Sequence, residues 1–379
     1  MRIGIVCFSG LGGSSTVAAL LARHLVKAGH TVFVLSPSLP ERLNAQDGVL
    51  FRPMPPAGNP LRPGSAAEVH RLALALARVV EVDKIDTLHA HYAHPHIVAA
   101  VLARDLLPAA RKPTVVATLH GTDVKANESL CGGIAAALRA SDGVSAVSDS
   151  LADAAAEVFG IPRPQVIPNF IGDVSGNDCL HREHRSNSHI DRVLVHVSTL
   201  RPVKRPVDCV GILARVHQRR IPCRLLVVGE GPEASAMRSE SVRLGVAKQI
   251  HFVGATPHVG AHLAHADLLL LPSASESFGM AALEAMASGV PVIGSLVKGL
   301  AEMAEDGVCA RLLPVGDLDG MAAAACELLL DPFLAATYAD AGRRIACDRY
   351  APDKAIASYT EFYKQAKCCR TAPVPLGSP

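Results

Sequence analysis

The order of apolar and polar residues along this chain constrains its fold more than any other feature. Short apolar runs alternate with longer amphipathic stretches, first in the N-terminal half and again in the C-terminal half. This alternation is typical of parallel β-sheets that carry helices on both faces. The chain has 379 residues, a length that suits two domains. The sequence therefore predicts an α/β protein made of two doubly wound domains.

The apolar runs and the amphipathic stretches give specific predictions of strands and helices. Strands are predicted over residues 2–8, 31–36, 87–90, 114–119, 143–147 and 165–167 in the first half, and over residues 193–198, 224–228, 250–253, 268–271 and 291–293 in the second. Helices are predicted over residues 16–28, 66–82, 132–140, 206–218, 232–244 and 280–288.

A polar stretch in the middle of the chain sets the predicted domain boundaries. Residues 171–191 are rich in His, Arg, Asn and Ser, and we interpret them as a linker or surface insertion. They separate an N-terminal domain, residues 1–170, from a C-terminal domain, residues 192–350. We expect a helix over residues 354–366 to pack back on the N-terminal domain, and residues 371–379 to form a flexible tail.

Composition and charge exclude several classes of protein. Charged residues make up 19% of the chain and the formal net charge is +2, so we do not expect a nucleic-acid partner. The 10 cysteines are scattered without a CxxC motif, which indicates a reducing compartment. The first apolar run is short for a secretory signal, and no stretch reaches the ~18 apolar residues of a membrane span. We expect a cytoplasmic protein without a membrane span or a metal site, and leave a homo-oligomer open.

A glycine-rich loop follows the first predicted strand and opens a helix. It contains Gly12, Gly13 and Ser14, and glycines at such a place let a ligand approach the free N–H groups of a helix N-terminus. The loop lacks the full G-x-G-x-x-G of dinucleotide-binding proteins, because position 15 is Ser, and no acidic residue follows the second strand. A nicotinamide enzyme is therefore disfavoured, whereas a plain tight turn stays open as an alternative.

Two glutamates, Glu276 and Glu284, flank a predicted strand-to-helix junction with seven residues between them. If the helix begins near Phe278, its first N–H groups face any diphosphate that lies above the sheet edge. Ionised carboxylates accept strong hydrogen bonds and so suit the hydroxyl groups of a sugar. An ordinary helix start with acidic residues near its N-terminus explains the same spacing, and the spacing alone leaves both interpretations open.

Three cations lie on a loop after the first strand of the second half, namely Arg201, Lys204 and Arg205. Cationic side chains at the carboxyl end of a parallel strand are the right chemistry for a pyrophosphate. A solvated basic loop is the alternative.

Histidines cluster at the ends of two predicted strands in the first half. His120 precedes a Gly-Thr turn, where it can donate a hydrogen bond to a sugar or to an acceptor carboxylate. Alternating histidines in a strand share one face without completing a tetrahedral zinc site. We therefore assign a functional role to His120 and a structural or supporting role to His89, His91, His94 and His96.

Taken together, these motifs resemble glycosyltransferase family 4 over nearly the whole chain. The resemblance rests on E-x7-E followed by Ala-Met-Ala-Ser-Gly-Val-Pro-Val at residues 285–292, and on Val-Val-Gly-Glu-Gly-Pro-Glu at residues 227–233. It implies the GT-B fold, in which two Rossmann-like doubly wound domains face a central crevice. It also implies a retaining hexosyltransferase that uses a nucleotide-diphosphate sugar and a small-molecule acceptor, with no cofactor required.

The resemblance also implies roles for individual residues. Donor binding is carried over to Gly12, Gly13, Arg201, Lys204, Glu276, Ser277, Phe278, Gly279, Met280 and Glu284. Acceptor binding is carried over to Ser14, Tyr92, Thr122, Arg201 and Lys298. Catalysis is carried over to His120, Arg201, Lys204 and Glu276, with His120 beside the hexose.

A finer resemblance is to the members of the family that join N-acetylglucosamine to L-malate. It is carried by residues 12–14, 91–96, 118–123, 146–151, 169–171 and 201–205. The chain departs from the pattern at Lys298, where the family usually has Gly, at Ala301, where Pro is common, and at Thr199, where that group has Asn. A donor such as a GDP-sugar with a thiol or betaine acceptor, for instance ergothioneine in lincosamide-type antibiotic biosynthesis, is therefore an alternative.

Two other functions share this architecture. A nucleotide-sugar epimerase would release free sugar without needing an acceptor. A binding module without catalysis is disfavoured, because His120, Lys204, Glu276 and Glu284 are all present.

Overall fold

The computed structural model describes residues 1–59, 62–125, 131–172 and 192–371. The chain divides into two compact units, Met1–Pro168 with Asp353–Pro379, and Asn169–Pro352, which we call unit 1 and unit 2. Most of the expected linker, residues 173–191, and most of the expected tail, residues 372–379, lie outside the described residues.

Unit 1 is built on a seven-stranded parallel sheet. Its strands, with a small separate pair β4–β5, are β1 (Arg2–Val6), β2 (Thr31–Ser36), β3 (Leu50–Pro53), β4 (Gly58–Asn59), β5 (Arg62–Pro63), β6 (Thr87–His91), β7 (Thr114–Leu119), β8 (Gly143–Ala146) and β9 (Gln165–Val166). The order across the large sheet is β3-β2-β1-β6-β7-β8-β9. Ile5 at the centre pairs with Val34 on one side and with His89 on the other.

Helices connect the strands of unit 1. They are α1 (Gly13–Lys27), α2 (Ala66–Asp83), α3 (Val98–Asp105), α4 (Thr122–Lys125), α5 (Cys131–Ala140) and α6 (Asp149–Phe159), and the last helix of the chain, α14 (Pro352–Thr371), belongs mainly to this unit. Ser65 and Glu68 form a capping box at the start of α2, and Ser148 caps α6 by accepting from the Leu151 N–H.

Helix α14 packs into unit 1 through its aromatic residues. Tyr359 and Tyr363 are among the largest fully buried side chains of the chain. A Cβ added to Gly143 of β8 would lie 2.9 Å from the ring of Phe362, so a glycine is needed where the helix crosses this strand. The Tyr363 hydroxyl also bonds to Nδ1 of His89, over 2.8 Å.

Unit 2 repeats the same plan with a six-stranded parallel sheet. Its strands are β10 (Arg192–Val197), β11 (Cys223–Val228), β12 (Ile250–Gly254), β13 (Leu268–Leu271), β14 (Val292–Ser295) and β15 (Ala310–Leu313). Its helices are α7 (Pro206–Gln218), α8 (Ala234–Arg243), α9 (Val259–Leu263), α10 (Met280–Ala287), α11 (Lys298–Met303), α12 (Leu318–Leu330) and α13 (Pro332–Arg349). The sheet order is β12-β11-β10-β13-β14-β15. Leu213, Leu225 and Met321 belong to one buried cluster between this sheet and helices α7 and α12.

These observations confirm the predicted fold class, while individual boundaries differ. The predicted strand over residues 2–8 ends at Val6, although the Cys7 N–H still bonds to the carbonyl of Leu35. The predicted helix over residues 16–28 begins three residues earlier, at Gly13, which places Ser14 in its first turn. The helix expected over residues 354–366 is longer, Pro352–Thr371.

No strand was predicted at the edge strands β3 and β15 or at the short pair β4–β5, and no helix was predicted at α3, α4, α6, α9, α11, α12 and α13. β3 is exposed or half-buried at every residue, so it carries no continuous apolar run. Among the described residues, no single helix is long and apolar enough to cross a membrane, and one bent pair, Leu318–Leu330 with Pro332–Cys368, passes by length and composition only.

In each sheet the strand order reverses at one point. The reversal lies between β1 and β6 in unit 1 and between β10 and β13 in unit 2. In open α/β sheets, ligands bind outside the carboxyl ends of the strands at such points. The loops after these four strands are therefore where the functional residues should lie.

Candidate active site

The two loops at the reversal point of unit 2 are joined by an ion pair. Lys204, in the turn after β10, donates from Nζ to both carboxylate oxygens of Glu276, in the loop after β13, each over 2.8 Å. The Ser273 hydroxyl donates to Oε1 of the same carboxylate over 2.8 Å. The Glu276 side chain is only 7% exposed. The structure thus brings Lys204 and Glu276 together, a pairing that the sequence analysis did not foresee.

The backbone holds the same two loops in register. The N–H of Ala274 donates to the carbonyl of Val203 over 2.8 Å, and the N–H of Lys204 donates to the carbonyl of Arg201 over 2.9 Å. The Nε atom of Arg201 is buried and bonds to no group among the described residues. Buried N–H donors normally have an acceptor, so this guanidinium is suited to an anionic ligand.

His196, which the sequence analysis did not single out, supports this edge of the sheet. Its Nδ1–H donates to the carbonyl of Leu270 over 2.9 Å, which leaves Nε2 to accept from the Ser198 hydroxyl over 2.7 Å. Burial lowers the pKa of His196 to about 4, so the ring is neutral at pH 7. The signal that could have revealed it is a polar residue inside an otherwise apolar strand.

Helix α10 begins at Met280, between the two glutamates of the E-x7-E motif and at the first residue of the helix predicted over residues 280–288. Gly279 precedes it with a φ of 95°, a conformation that favours glycine, and Met280 is its first residue. The ring of Phe278 is buried and lies edge-on to Tyr350, with 5.4 Å between the ring centroids. Glu284 is half-buried on the second turn. The first N–H groups of the helix are therefore available beside the loop that carries Glu276.

Helix α11 approaches this loop closely because residue 299 is glycine. A Cβ added to Gly299 would lie 2.4 Å from the carbonyl oxygen of Glu276 and 2.5 Å from the carbonyl carbon of Ser277. Lys298, the first residue of α11, is exposed next to this contact. The structure thus places Lys298 at the same edge of the sheet as the predicted donor-binding residues.

In unit 1, the glycine-rich loop leaves open space at the start of α1. Gly12 is the N-cap of this helix, which has no side-chain cap and no acidic residue in its first turn. Apart from neighbours in the chain and the backbone of α1 itself, no atom of the described residues lies within 4 Å of a Cβ added to Gly12 or Gly13. Protein packing therefore does not explain these two glycines, whereas a ligand at the helix N-terminus would.

The predicted acceptor-side residues Tyr92 and Thr122 lie at the same edge of the unit 1 sheet as His120. Phe8, after β1, packs edge-on against Tyr92, after β6, with 5.1 Å between the ring centroids. The Tyr92 N–H donates to the carbonyl of Thr118 over 3.1 Å. His120 lies on the loop after β7 and Thr122 begins α4, and both are half-buried.

Four histidines of unit 1 lie together and are hydrogen-bonded: His89, His91 and His96 are buried, and His120 is half-buried. Nδ1 of His91 and Nε2 of His120 share a hydrogen bond of 3.0 Å. His89 bonds through Nε2 to Oγ1 of Thr118 over 2.7 Å, and Nδ1 of His96 donates to the carbonyl of His91 over 2.7 Å. Among the described residues, no group of three or more His, Cys, Asp or Glu is placed to hold a metal ion.

Burial keeps these rings uncharged. It is the largest cause that lowers the pKa of His89 and His120 to about 3, that of His96 to about 4, and that of His91 well below its ordinary value. At pH 7 the group therefore offers neutral donors and acceptors.

Asp123 received no role in the sequence analysis, although it belongs to the motif that starts at His120. It is fully buried, and its carboxylate accepts hydrogen bonds from the N–H groups of Ala93, His120 and Gly121. Burial raises its pKa to about 6, and these bonds oppose the shift. An acidic residue two positions after the glycine of a strand-end turn is the sequence signal that could have indicated it.

Comparison with known proteins places the chain in a family. Residues 11–173 match the family model for Glycosyltransferase Family 4, and residues 191–331 match the model for Glycosyl transferases group 1. The chain is similar to the N-acetyl-alpha-D-glucosaminyl L-malate synthase of Bacillus anthracis, with 32% identity over 96% of both chains. It is also similar to the phosphatidyl-myo-inositol mannosyltransferase of Mycolicibacterium smegmatis, with 31% identity over 89% of this chain and 87% of the relative.

A solved structure supports the fold. The chain resembles Anabaena Alr3699/HepE in complex with UDP and glucose, with a TM-score of 0.77, 22% sequence identity and coverage of 96% of this chain and 99% of that one. Together with the identity to the B. anthracis synthase over nearly the full length, the family matches lead to one conclusion. The chain belongs to glycosyltransferase family 4 and is a glycosyltransferase with the GT-B fold.

Proposed function

We propose that this enzyme transfers a hexose-type sugar, N-acetylglucosamine from its UDP derivative, to a small acceptor that carries a carboxylate, such as L-malate. The observation that carries the proposal is the joined pair of loops in unit 2, where the Lys204–Glu276 pair lies beside Arg201 and the N-terminus of α10. The similarity to the B. anthracis synthase supports the choice of substrates.

Unit 2 has the groups that a nucleotide-diphosphate sugar requires. Lys204 has three N–H donors, and its bonds to Glu276 leave a donor for a phosphate oxygen. The Glu276 carboxylate has about four lone-pair sites, of which Lys204 and Ser273 use three, so one is left for a sugar hydroxyl. The N–H groups at the start of α10 favour an anion, and Glu284 is assigned to a ribose hydroxyl.

Unit 1 has the neutral groups that an acceptor requires. Ser14, Tyr92 and Thr122 supply uncharged hydrogen-bonding groups, and His120 is neutral because it is buried. For the acceptor's carboxylate we propose Arg201, which belongs to unit 2, because a guanidinium binds a carboxylate through two parallel hydrogen bonds. Gly12 and Gly13 leave room for a ligand above α1.

We propose retention at the anomeric carbon without a protein nucleophile. The acceptor hydroxyl attacks that carbon on the side from which the diphosphate leaves. The bond from carbon to the phosphate oxygen breaks with its electron pair going to oxygen, and the same oxygen takes the acceptor's proton. No tuned general base is needed in this step. Lys204 stabilises the charge that grows on the leaving phosphate.

The test has two stages. A thermal-shift panel of UDP-, GDP- and dTDP-sugars identifies the donor, because a ligand at 100 times its dissociation constant stabilises by about 2.7 kcal/mol. L-Malate and ergothioneine are then assayed with the donors that bind, and NMR coupling at the anomeric carbon gives the configuration of the product. Transfer from UDP-N-acetylglucosamine to L-malate with retention is the expected result. An inverted product would contradict the mechanism, and efficient transfer to an acceptor without an acidic group would contradict the role of Arg201.

One observation favours a second candidate. Lys298 adds an exposed cation beside Glu276, where a further anionic or dipolar group of another substrate could bind. A GDP-sugar with a thiol or betaine acceptor such as ergothioneine is therefore the second candidate. Release of free sugar in the absence of any acceptor would instead indicate an epimerase.

A further inference from the structure

The carboxylate of Asp123 connects two loops of unit 1. Its Oδ1 accepts from the N–H of Gly121 over 2.7 Å and from the N–H of His120 over 3.1 Å. Its Oδ2 accepts from the N–H of Ala93 over 3.2 Å. Ala93 lies directly after Tyr92 on the loop that follows β6, whereas His120 and Gly121 follow β7. One side chain therefore fixes the backbone beside both Tyr92 and His120.

Tyr92 needs this support because its backbone is strained. Its φ is 103°, a conformation that side-chain-bearing residues rarely adopt, and such residues persist only where the surrounding structure fixes them. The N–H of Tyr92 is held by the carbonyl of Thr118, and the next N–H, that of Ala93, is held by Asp123. The conformation is thus fixed on both sides of the residue, and Asp123 provides one of the two restraints.

Stability alone gives a weak reason for a charged group at this place. Asp123 is fully buried, and in the part of the chain that the structure describes its carboxylate bonds to backbone N–H groups and to no Lys or Arg. Burying an ionised carboxylate without a cation is unfavourable unless N–H groups compensate for the lost water. An amide of the same shape would satisfy these donors poorly, because its NH₂ group would face another N–H group.

We propose that Asp123 is a positioning residue of the acceptor side: its carboxylate holds the backbone of Tyr92 and of His120 in the arrangement that binds the acceptor. The assignment of the acceptor to these residues rests on the function proposed above. Asp123 itself touches no substrate in this proposal and acts only through the three N–H groups that it binds.

The chain offers a matched control at the other end of the same strand. Asp142 accepts from the N–H of Val115, near the start of β7, over 2.7 Å and from Nη1 of Arg104 over 3.4 Å. It is therefore also a carboxylate that binds the backbone of β7, but at the opposite edge of the sheet from Tyr92 and His120. Loss of either carboxylate should lower stability, and only the loss of Asp123 should disturb acceptor binding.

The experiment compares Asp123→Asn with Asp142→Asn in the full-length enzyme. For Asp123→Asn we expect the KM for L-malate to rise by about tenfold or more, because small misplacements of substrate-binding groups have large effects. The KM for the nucleotide sugar and the affinity for UDP should stay within about twofold of the wild type, because those contacts are assigned to other residues. Asp142→Asn should leave both KM values unchanged. Asp123→Glu, which keeps the charge, should restore part of the acceptor affinity and serves as the second variant if Asp123→Asn does not fold.

Hydrogen exchange separates this proposal from the proposed function. The amides of Ala93, His120 and Gly121 should exchange faster in Asp123→Asn, and not in Asp142→Asn. If the wild-type enzyme does not use L-malate but these amides do exchange faster, the proposed acceptor is wrong while the positioning role stands. If the amides are unchanged, or if both variants alter the acceptor KM equally, the positioning role of Asp123 is overturned.

Discussion

The two units reverse their strand order in the same way, and yet the side chains at the two reversal points differ in kind. Unit 1 places the buried histidines His89 and His91 on β6 at this point and the half-buried His120 after the neighbouring strand β7, and burial keeps all three neutral. Unit 2 places charged groups there, with Lys204 bound to Glu276. The same strand order therefore carries two different sets of functional side chains, because the sheet fixes where the loops lie and the loops carry the residues that differ. Neutral imidazole rings can accept hydrogen bonds from the hydroxyl group of the proposed acceptor or donate hydrogen bonds to it. Cationic side chains stabilise the negative charge of a leaving diphosphate.

The comparison predicts that acid destabilises unit 1 more than unit 2. A histidine whose folded pKa is lowered contributes stability that is complete above its unfolded value, near 6.5, and is lost as the pH falls below it. The histidines of unit 1 with lowered pKa include the buried His89, His91, His94 and His96 and the half-buried His120. In unit 2 the corresponding residue is His196.

Asp123 acts in the opposite direction. Its folded pKa, about 6, is raised above the ordinary value, so its contribution to stability increases as the pH falls and offsets one histidine. Several histidines against one carboxylate leave unit 1 with a net loss of stability as the pH falls from about 6 to about 5, and this loss should exceed the loss from the single histidine His196 in unit 2.

Hydrogen exchange at pH 7, 6 and 5 measures this difference, because it reports the opening of each unit separately. Amides of β6 and β7 should lose protection faster on acidification than amides of β10 and β13. The variant His196→Gln should remove most of the pH dependence in unit 2 and none in unit 1. Equal losses in the two units would contradict the assignment of neutral histidines to unit 1.

The second prediction concerns the charged side of the comparison. Lys204→Ala should lower kcat by about 10²–10³-fold, because one group that stabilises transition-state charge contributes about 3–4 kcal/mol. Lys248→Ala, which removes an exposed lysine from another turn of unit 2, is the matched control and should leave kcat unchanged. Steady-state kinetics with saturating donor and acceptor measures both. A kcat for Lys204→Ala within twofold of the wild type would show that the diphosphate binds elsewhere.

The sequence was sufficient for the parts of the site that depend on chain-local patterns. The strand-end positions of His120, Lys204 and Glu276 followed from apolar runs that end in polar residues, and the helix predicted over residues 280–288 corresponds to α10, Met280–Ala287. Each of these features depends on residues within a few positions of one another, so the periodicity of apolar residues and the residue types of turns predict it. The same reasoning gave the predicted strands over residues 31–36, 114–119 and 268–271, which match the structure at both ends.

The sequence was insufficient where a partner lies far along the chain. The Lys204–Glu276 pair joins residues 72 positions apart, and the bond between His89 and Tyr363 joins residues 274 positions apart. No local pattern encodes such a pairing, because it depends on which strands the sheet places side by side. Asp123 was missed for a related reason, since the loop after β6 that it binds is set by the packing of β6 against β7.

The third prediction tests the close approach of α11 to the Glu276 loop. Gly299→Ala should displace the backbone of Glu276 and Ser277, because the added Cβ would overlap it, and should cost about 1–3 kcal/mol in stability together with a higher KM for the donor. Gly260→Ala is the matched control in unit 2, because no atom of the residues outside its own helix that the structure describes lies within 4 Å of its added Cβ, and alanine should stabilise helix α9 slightly. Chemical denaturation and donor KM measured on both variants distinguish a local displacement from a general effect of adding a methyl group.

The smallest effect is expected at Glu284, on the second turn of α10. A ribose contact is made alike in the ground state and in the transition state, so removing it weakens binding without slowing the chemical step. Glu284→Ala should therefore raise the KM for the nucleotide sugar by about tenfold, or about 1.4 kcal/mol, with kcat nearly unchanged. Glu302→Ala, on the neighbouring helix α11, provides a carboxylate control in the same unit. Initial rates give the donor KM and kcat of both variants. A lower kcat with an unchanged KM for Glu284→Ala would show that Glu284 contacts the reacting sugar and not the ribose. Glu284 would then join Lys204 among the charged groups of unit 2 that act in the transition state.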